Sequence, residues 1–87
     1  MTGTMENTTT LTIGRNGTII LTKGSTWIEL PTDGRRGALY CESATESVWM
    51  GGASWDGRKL RTGGLGFGDI AEDGARLLRA AKVRRAG

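Results

Sequence analysis

From residue 8 to residue 31 the chain reads TTTLTIGRNGTIILTKGSTWIELP. β-Branched and aliphatic residues alternate with polar ones, and the run breaks at Asn16-Gly17 and Gly24-Ser25. This pattern predicts three strands joined by two tight turns. A two-residue loop at Asn16-Gly17 would set Ile13 against Ile20 but Thr12 against Leu21, scattering apolar residues over both faces. A three-residue loop, Arg15-Asn16-Gly17 with Gly17 left-handed in a G1 bulge, sets Ile13 against Ile19 and Leu11 against Leu21. Only the second register gathers one apolar face, so the three-residue loop is expected.

The third strand is predicted over Thr26–Leu30, with Ile28 and Leu30 opposite Trp27 and Glu29, and Pro31 ends it. The following TDGRRG turn puts Arg35 and Arg36 at an exposed tip before a fourth strand at 38–42. A hairpin around Asp56-Gly57 then joins 47–55 to 58–61, with Gly51-Gly52 marking a bulge, a bend or the close approach of another backbone. DGR recurs at 33–35 and 56–58 as a turn word, not a repeat unit.

Beyond Asp69 the period changes. Ile70, Gly74, Leu77, Leu78 and Ala81 form one helical stripe, with Arg76 and Arg79 outside it. Asp69 is placed to cap this helix, with Glu72 at the third helical position completing a capping box. Asp69, Glu72 and Asp73 sit at the positive end of the dipole, while Arg79, Lys82, Arg84 and Arg85 sit at the negative end. Gly74 costs about 1 kcal/mol relative to Ala within a helix, so it is expected where the stripe closely meets the sheet. The implied fold is mainly β (α+β): an antiparallel meander or partly closed barrel of five to six strands, capped by one C-terminal helix. Residues 1–7 read as a leader and 8–87 as one domain, with strands over 8–62, a glycine-rich connection at 63–68 and the helix over 69–83.

Gly66-Phe67-Gly68-Asp69-Ile70-Ala71 matches the G-x-G-x-x-A dinucleotide fingerprint letter for letter. The chemistry around it does not fit. A dinucleotide fold needs a second strand after the helix and an acidic residue about 20 positions onward for the ribose. Here Asp69, Glu72 and Asp73 put carboxylates where a pyrophosphate would sit. No Gly-Lys-Ser or Gly-Lys-Thr of a Walker A loop follows. The glycines read as a connection with Leu65 and Phe67 as apolar pegs, and no cofactor is expected.

The composition narrows the chemistry. Histidine is absent and Cys41 is the single cysteine, which excludes an intrachain disulfide and, within one chain, a Cys/His zinc site. Histidine-based acid/base catalysis and Ser-His or Cys-His nucleophiles are excluded as well. Cys41 lies in the alternating run ALYCES and reads as a buried small hydrophobe. Glu42 and Glu46 read as surface carboxylates, and no enzyme is expected. No apolar run is long enough to span a bilayer, and MTGTMENTTT lacks a signal-peptide pattern, so a cytoplasmic protein is the expectation.

Two groups of residues bear on binding. Trp27, Trp49 and Trp55 are many indoles for 87 residues, and Trp27 and Trp49 alternate with aliphatic neighbours, facing away from them. Trp27, Trp49, Met50 and Trp55 are therefore the candidate protein interface. Net charge is +3, but residues 1–57 carry four basic and six acidic side chains, whereas 58–87 carry eight and three. The cations fall into turn residues Arg35, Arg36, Arg58, Lys59 and Arg61, and helix-end residues Arg76, Arg79, Lys82, Arg84 and Arg85. If these meet on one side they form a phosphate-binding surface, with Trp55 or Trp27 available for stacking. The first expectation is a non-enzymatic protein-interaction module that binds another protein or itself, of the accessory, inhibitory or assembly kind found in phage and mobile elements. Nucleic-acid binding through the arginines is the second.

Overall fold

A computed structural model describes residues 8–42, 45–63 and 67–87, so the leader and half of the glycine-rich connection, with Leu65, lie outside the described residues. Six strands follow in chain order: β1 (Thr10–Ile13), β2 (Ile19–Lys23), β3 (Thr26–Leu30), β4 (Gly37–Glu42), β5 (Ser47–Trp55) and β6 (Leu60–Thr62). Each pairs antiparallel with the next, giving one curled, half-barrel sheet in the order β1-β2-β3-β4-β5-β6. Helix α1 (Gly68–Ala80) follows β6 and packs against β6, β1 and β2, so it lies across the gap between the two edges of the sheet.

The first hairpin has the three-residue loop. Ile13 pairs with Ile19 and Leu11 with Leu21, Gly17 takes φ 84°, and the Gly14 N–H donates to the Thr18 carbonyl at 2.8 Å. The fourth strand starts at Gly37, one residue earlier than expected, and the last runs over 60–62 instead of 58–61. The Asp56 carboxylate accepts the backbone N–H of both Arg58 and Lys59 at 2.8 Å, which keeps those residues in the turn.

The Gly51-Gly52 interruption is a β-bulge. Leu39 pairs with Gly51 but Tyr40 pairs with Trp49, leaving Met50 as the extra residue. A Cβ on Gly51 would lie 2.8 Å from the Gly63 Cα, the close backbone approach that glycine permits.

One face of the sheet carries Ile19, Leu21, Ile28, Leu30, Leu39, Ala53, Trp55 and Leu60, all buried, and α1 adds Ile70, Ala75 and Leu78. Leu77 and Phe67 pack at the edge of this core. Gly74 sits where expected, since a Cβ there would come within 2.7 Å of Leu60 Cδ2 and 2.8 Å of Leu21 Cδ1.

The helix ends differ from expectation. Phe67, not Asp69, is the N-cap, and no side chain caps the first turn. Asp69 lies inside the helix and points to Lys23 of β2, at 3.8 Å. At the other end α1 stops at Ala80 and not at 83, leaving Ala81 exposed and Ala75 in its place within the stripe. Lys82 takes φ 59°, its N–H donates to the Arg79 carbonyl at 3.0 Å, and the Val83 N–H reaches the Leu78 carbonyl at 3.1 Å. This is a Schellman closure with lysine in the left-handed position usually given to glycine. The reversal brings the last residues to the ends of β5 and β3. There Ala86 bridges Trp55 through both backbone hydrogen bonds, 2.7 and 3.1 Å, and the Gly87 N–H donates to the Pro31 carbonyl at 2.8 Å.

Candidate functional site

In an antiparallel meander, odd-numbered turns share one end of the sheet and even-numbered turns share the other. The β1–β2 turn carries Arg15, the β3–β4 turn Arg35 and Arg36, and the β5–β6 turn Arg58 and Lys59, with Arg61 next to it. Helix α1 runs back from the opposite end. Its first turns are tied there by Thr9 and Lys23, both on the Asp73 carboxylate at 2.9 and 3.5 Å. Its last turn therefore delivers Arg79, Lys82, Arg84 and Arg85 to the end that holds the odd turns. The Arg79 Nη1 donates to the Arg58 carbonyl at 3.2 Å, and a Cβ on Gly57 would lie 2.9 Å from the Arg84 carbonyl oxygen. Ten of the twelve Lys and Arg side chains thus belong to one pole of the protein.

Two carboxylates lie in the turns of that pole, Asp33 and Asp56, and turn chemistry occupies both. Asp33 accepts the Arg35 guanidinium at 2.8 Å and its backbone N–H at 3.2 Å, contacts that hold its carboxyl below the usual range. The Asp56 carboxyl is lowered by the backbone N–H groups of Lys59 and Arg58. In both DGR turns the glycine takes a positive φ, 93° at Gly34 and 99° at Gly57. The two carboxylates therefore shape the tips that present the arginines, and Arg61 lies only loosely near Asp56, at 3.7 Å. Glu42, Glu46 and Asp69 belong to the other end, and Glu72 and Asp73 lie between the two, along α1.

Both cation groups read from the sequence meet here, with one qualification. Arg58, Lys59, Arg76 and Arg79 line a single groove between the β5–β6 turn and α1, together with Glu72 and Asp73. Arg76 sits midway along the helix and its guanidinium engages Asp73, so it belongs to the wall of the groove and not to the pole. A second groove, on the sheet face away from the core, is lined by Arg36, Ser54 and Arg61 over Gly37, Gly52 and Gly63. Arg85 lines a third beside Thr32, Asp56 and Gly87.

The tryptophans separate into three environments. Trp55 is 2% exposed and its Nε1 donates to the Val83 carbonyl at 2.8 Å. It is a core residue that anchors the tail, which corrects its assignment to an interface or a stacking surface. The reason is the bulge: the extra residue at Met50 reverses the alternation, so odd positions face outward before it and inward after it. Trp27 faces outward but is half-buried, stacked on Tyr40 at 5.4 Å between ring centroids and 19° between planes, with its Nε1 on Glu29 at 3.1 Å. Trp49 pairs with Tyr40 on the same face and is 62% exposed. Met50 and Val48 beside it are 37% and 38% exposed, because the β6 ladder reaches no further than Thr62 opposite Ala53. Trp49 and Met50 thus stand as an accessible patch.

Cys41 is half-buried with its Sγ 3.4 Å from the Thr26 hydroxyl. No helix among the described residues is long and apolar enough to cross a membrane. The fold and this site define a small β-meander with a helix across its open edge and a cationic pole. No protein-family model matches the chain, and no curated protein or solved structure matches it.

Proposed function

We propose that this protein binds nucleic acid through the phosphate backbone, with the basic pole as its contact surface and no chemistry of its own. The observation that carries this reading is the collection of ten cations, from three turns, β6 and the helix end, beside two turn carboxylates already committed to turn geometry. Arg79 and Lys82 also complement the negative end of the helix dipole, which accounts for those two without a ligand. It does not account for Arg15, Arg35, Arg36, Arg58, Lys59 or Arg61, which lie in turns or on β6. Clustered guanidinium groups suit phosphate oxygens, and binding of this kind is driven by release of condensed counterions.

The test is a salt titration with an oligonucleotide of about 20 nucleotides, single-stranded and as a duplex. Binding should weaken linearly with log salt, and Arg58→Ala or Arg79→Ala should each reduce the slope by about one unit. Affinity that ignores salt, or no binding at low salt, would reject the reading.

A second reading, recognition of another protein or of a second copy, is favoured by the exposure of Val48, Trp49 and Met50. It predicts association that tolerates salt and fails on Trp49→Ala, with the molar mass in solution as the readout.

A further inference from the structure

The outward face of β4, β5 and β6 joins the two features that the proposed function leaves apart. We infer that this face is a track for single-stranded nucleic acid, entered at Arg36 and Arg61 and ending with a base stacked on Trp49. The inference rests on the basic-pole reading and adds the form of the partner and its path.

Register gives the path. Ser54 pairs with Arg61, Ala38 with Gly52, and Tyr40 with Trp49, and all of these positions face away from the core. The Arg36–Ser54–Arg61 groove is therefore followed by a floor without projecting side chains at Gly52 and Gly63, and then by the aromatic row. From Ser54 to Trp49 the strand covers about 15 Å, the length of about four stacked nucleotides. Of the aromatics in that row, Trp27 and Tyr40 cover each other's faces, whereas Trp49 is 62% exposed. Charge complementarity names the occupant: two guanidinium groups at one end ask for phosphate, and an exposed indole at the other takes a base of any identity. A duplex, whose bases are already stacked on one another, has no face to offer Trp49. Glu29, engaged by Trp27, bounds the track on the β3 side.

Gly52 makes the track testable without harming the fold. A Cβ there would have the Gly37 carbonyl oxygen as its nearest neighbour, at 3.8 Å, an ordinary contact, and the methyls of Gly52→Val would stand in the path, with an unchanged far-UV spectrum as the check on the fold. Binding of a ten-nucleotide oligo-dT and of a hairpin duplex would be followed by tryptophan fluorescence and by anisotropy of a labelled strand. Oligo-dT should quench the wild type and Trp27→Phe but not Trp49→Ala. Trp49→Ala and Gly52→Val should each weaken oligo-dT binding by at least about five-fold while leaving the hairpin unaffected. The charge-conserving pair Arg36→Lys and Arg61→Lys should weaken oligo-dT binding at an unchanged salt slope. Oligo-dT binding without quenching, or with full strength in Trp49→Ala and Gly52→Val, would overturn the track and leave the basic pole standing. No binding of either form at low salt would overturn both.

Discussion

Single residues settle which faces of this sheet are available. The extra residue at Met50 does more than bend β5, because it puts Trp49 outside and Trp55 inside, although both hold odd positions on the same strand. The sequence contains the signal, since Gly51-Gly52 marks a bulge, but the phase on either side of it depends on which residue is extra. Glycines make a second contrast at this scale. A Cβ on Gly37 would lie 2.3 Å from the Ala53 carbonyl oxygen and 2.8 Å from that of Glu29, and neither backbone atom yields easily. On Gly74 the clashing atoms are the methyl ends of Leu60 and Leu21, which give way more readily. Urea unfolding should show Gly37→Ala destabilised by about 2–4 kcal/mol. Gly74→Ala should lie within about 1 kcal/mol of the parent, because the gain in helix propensity offsets a modest overpacking cost.

At the scale of elements, the strands were legible because alternation and turn residues agree. The third and fifth have the expected limits, and the first hairpin has the expected loop. The ends of α1 were not legible. Lys82 supplies the left-handed residue that glycine would have announced, and VRRAG carries no pattern that foretells its bridge to Trp55. That bridge is held from the side by the indole. Trp55→Phe keeps most of the apolar volume but removes the hydrogen bond to the Val83 carbonyl, leaving that oxygen unsatisfied. Trypsin cleavage after Lys82, Arg84 and Arg85 should become faster in the variant at unchanged far-UV spectrum.

The start of α1 depends on Asp73, whose carboxyl is held low first by the Thr9 hydroxyl and then by Lys23 and Arg76. A carboxyl lowered in the native state contributes stability above its unfolded value, about 3.9, and loses it as pH falls through the native one. Wild-type stability should be level above about pH 5 and decline below about pH 4. Asp73→Asn should be less stable on the plateau and decline less steeply in acid, as read from thermal unfolding at each pH.

For the molecule as a whole, the distribution of charge follows the parity of the turns. Nothing in the linear order displays this, because cations and carboxylates occur in nearly every segment. Only when the meander is folded do turns one, three and five fall beside the helix end, with the carboxylates of the β4–β5 loop and the helix start opposite. The two arginine groups were thus visible as residues, while their meeting required the topology. Arg35 and Arg61 lie near Asp33 and Asp56, which leaves eight cations of the pole without an ion pair at that end among the described residues. The salt slope on duplex is accordingly bounded at about −7. A measured value near −2 would mean that one groove, and not the pole, makes the contact.

Gathering ten cations at one end of the strands, with Glu42, Glu46 and Asp69 at the other, gives the protein a permanent dipole along the strand direction. In the field of a polyanion such a body turns before it touches, so encounters are oriented and association is faster than for an even distribution of the same net charge. If the pole is the contact surface, the same torque fixes what faces outward afterwards: Glu42 and Asp69, exposed at the opposite end, would point away from the strand.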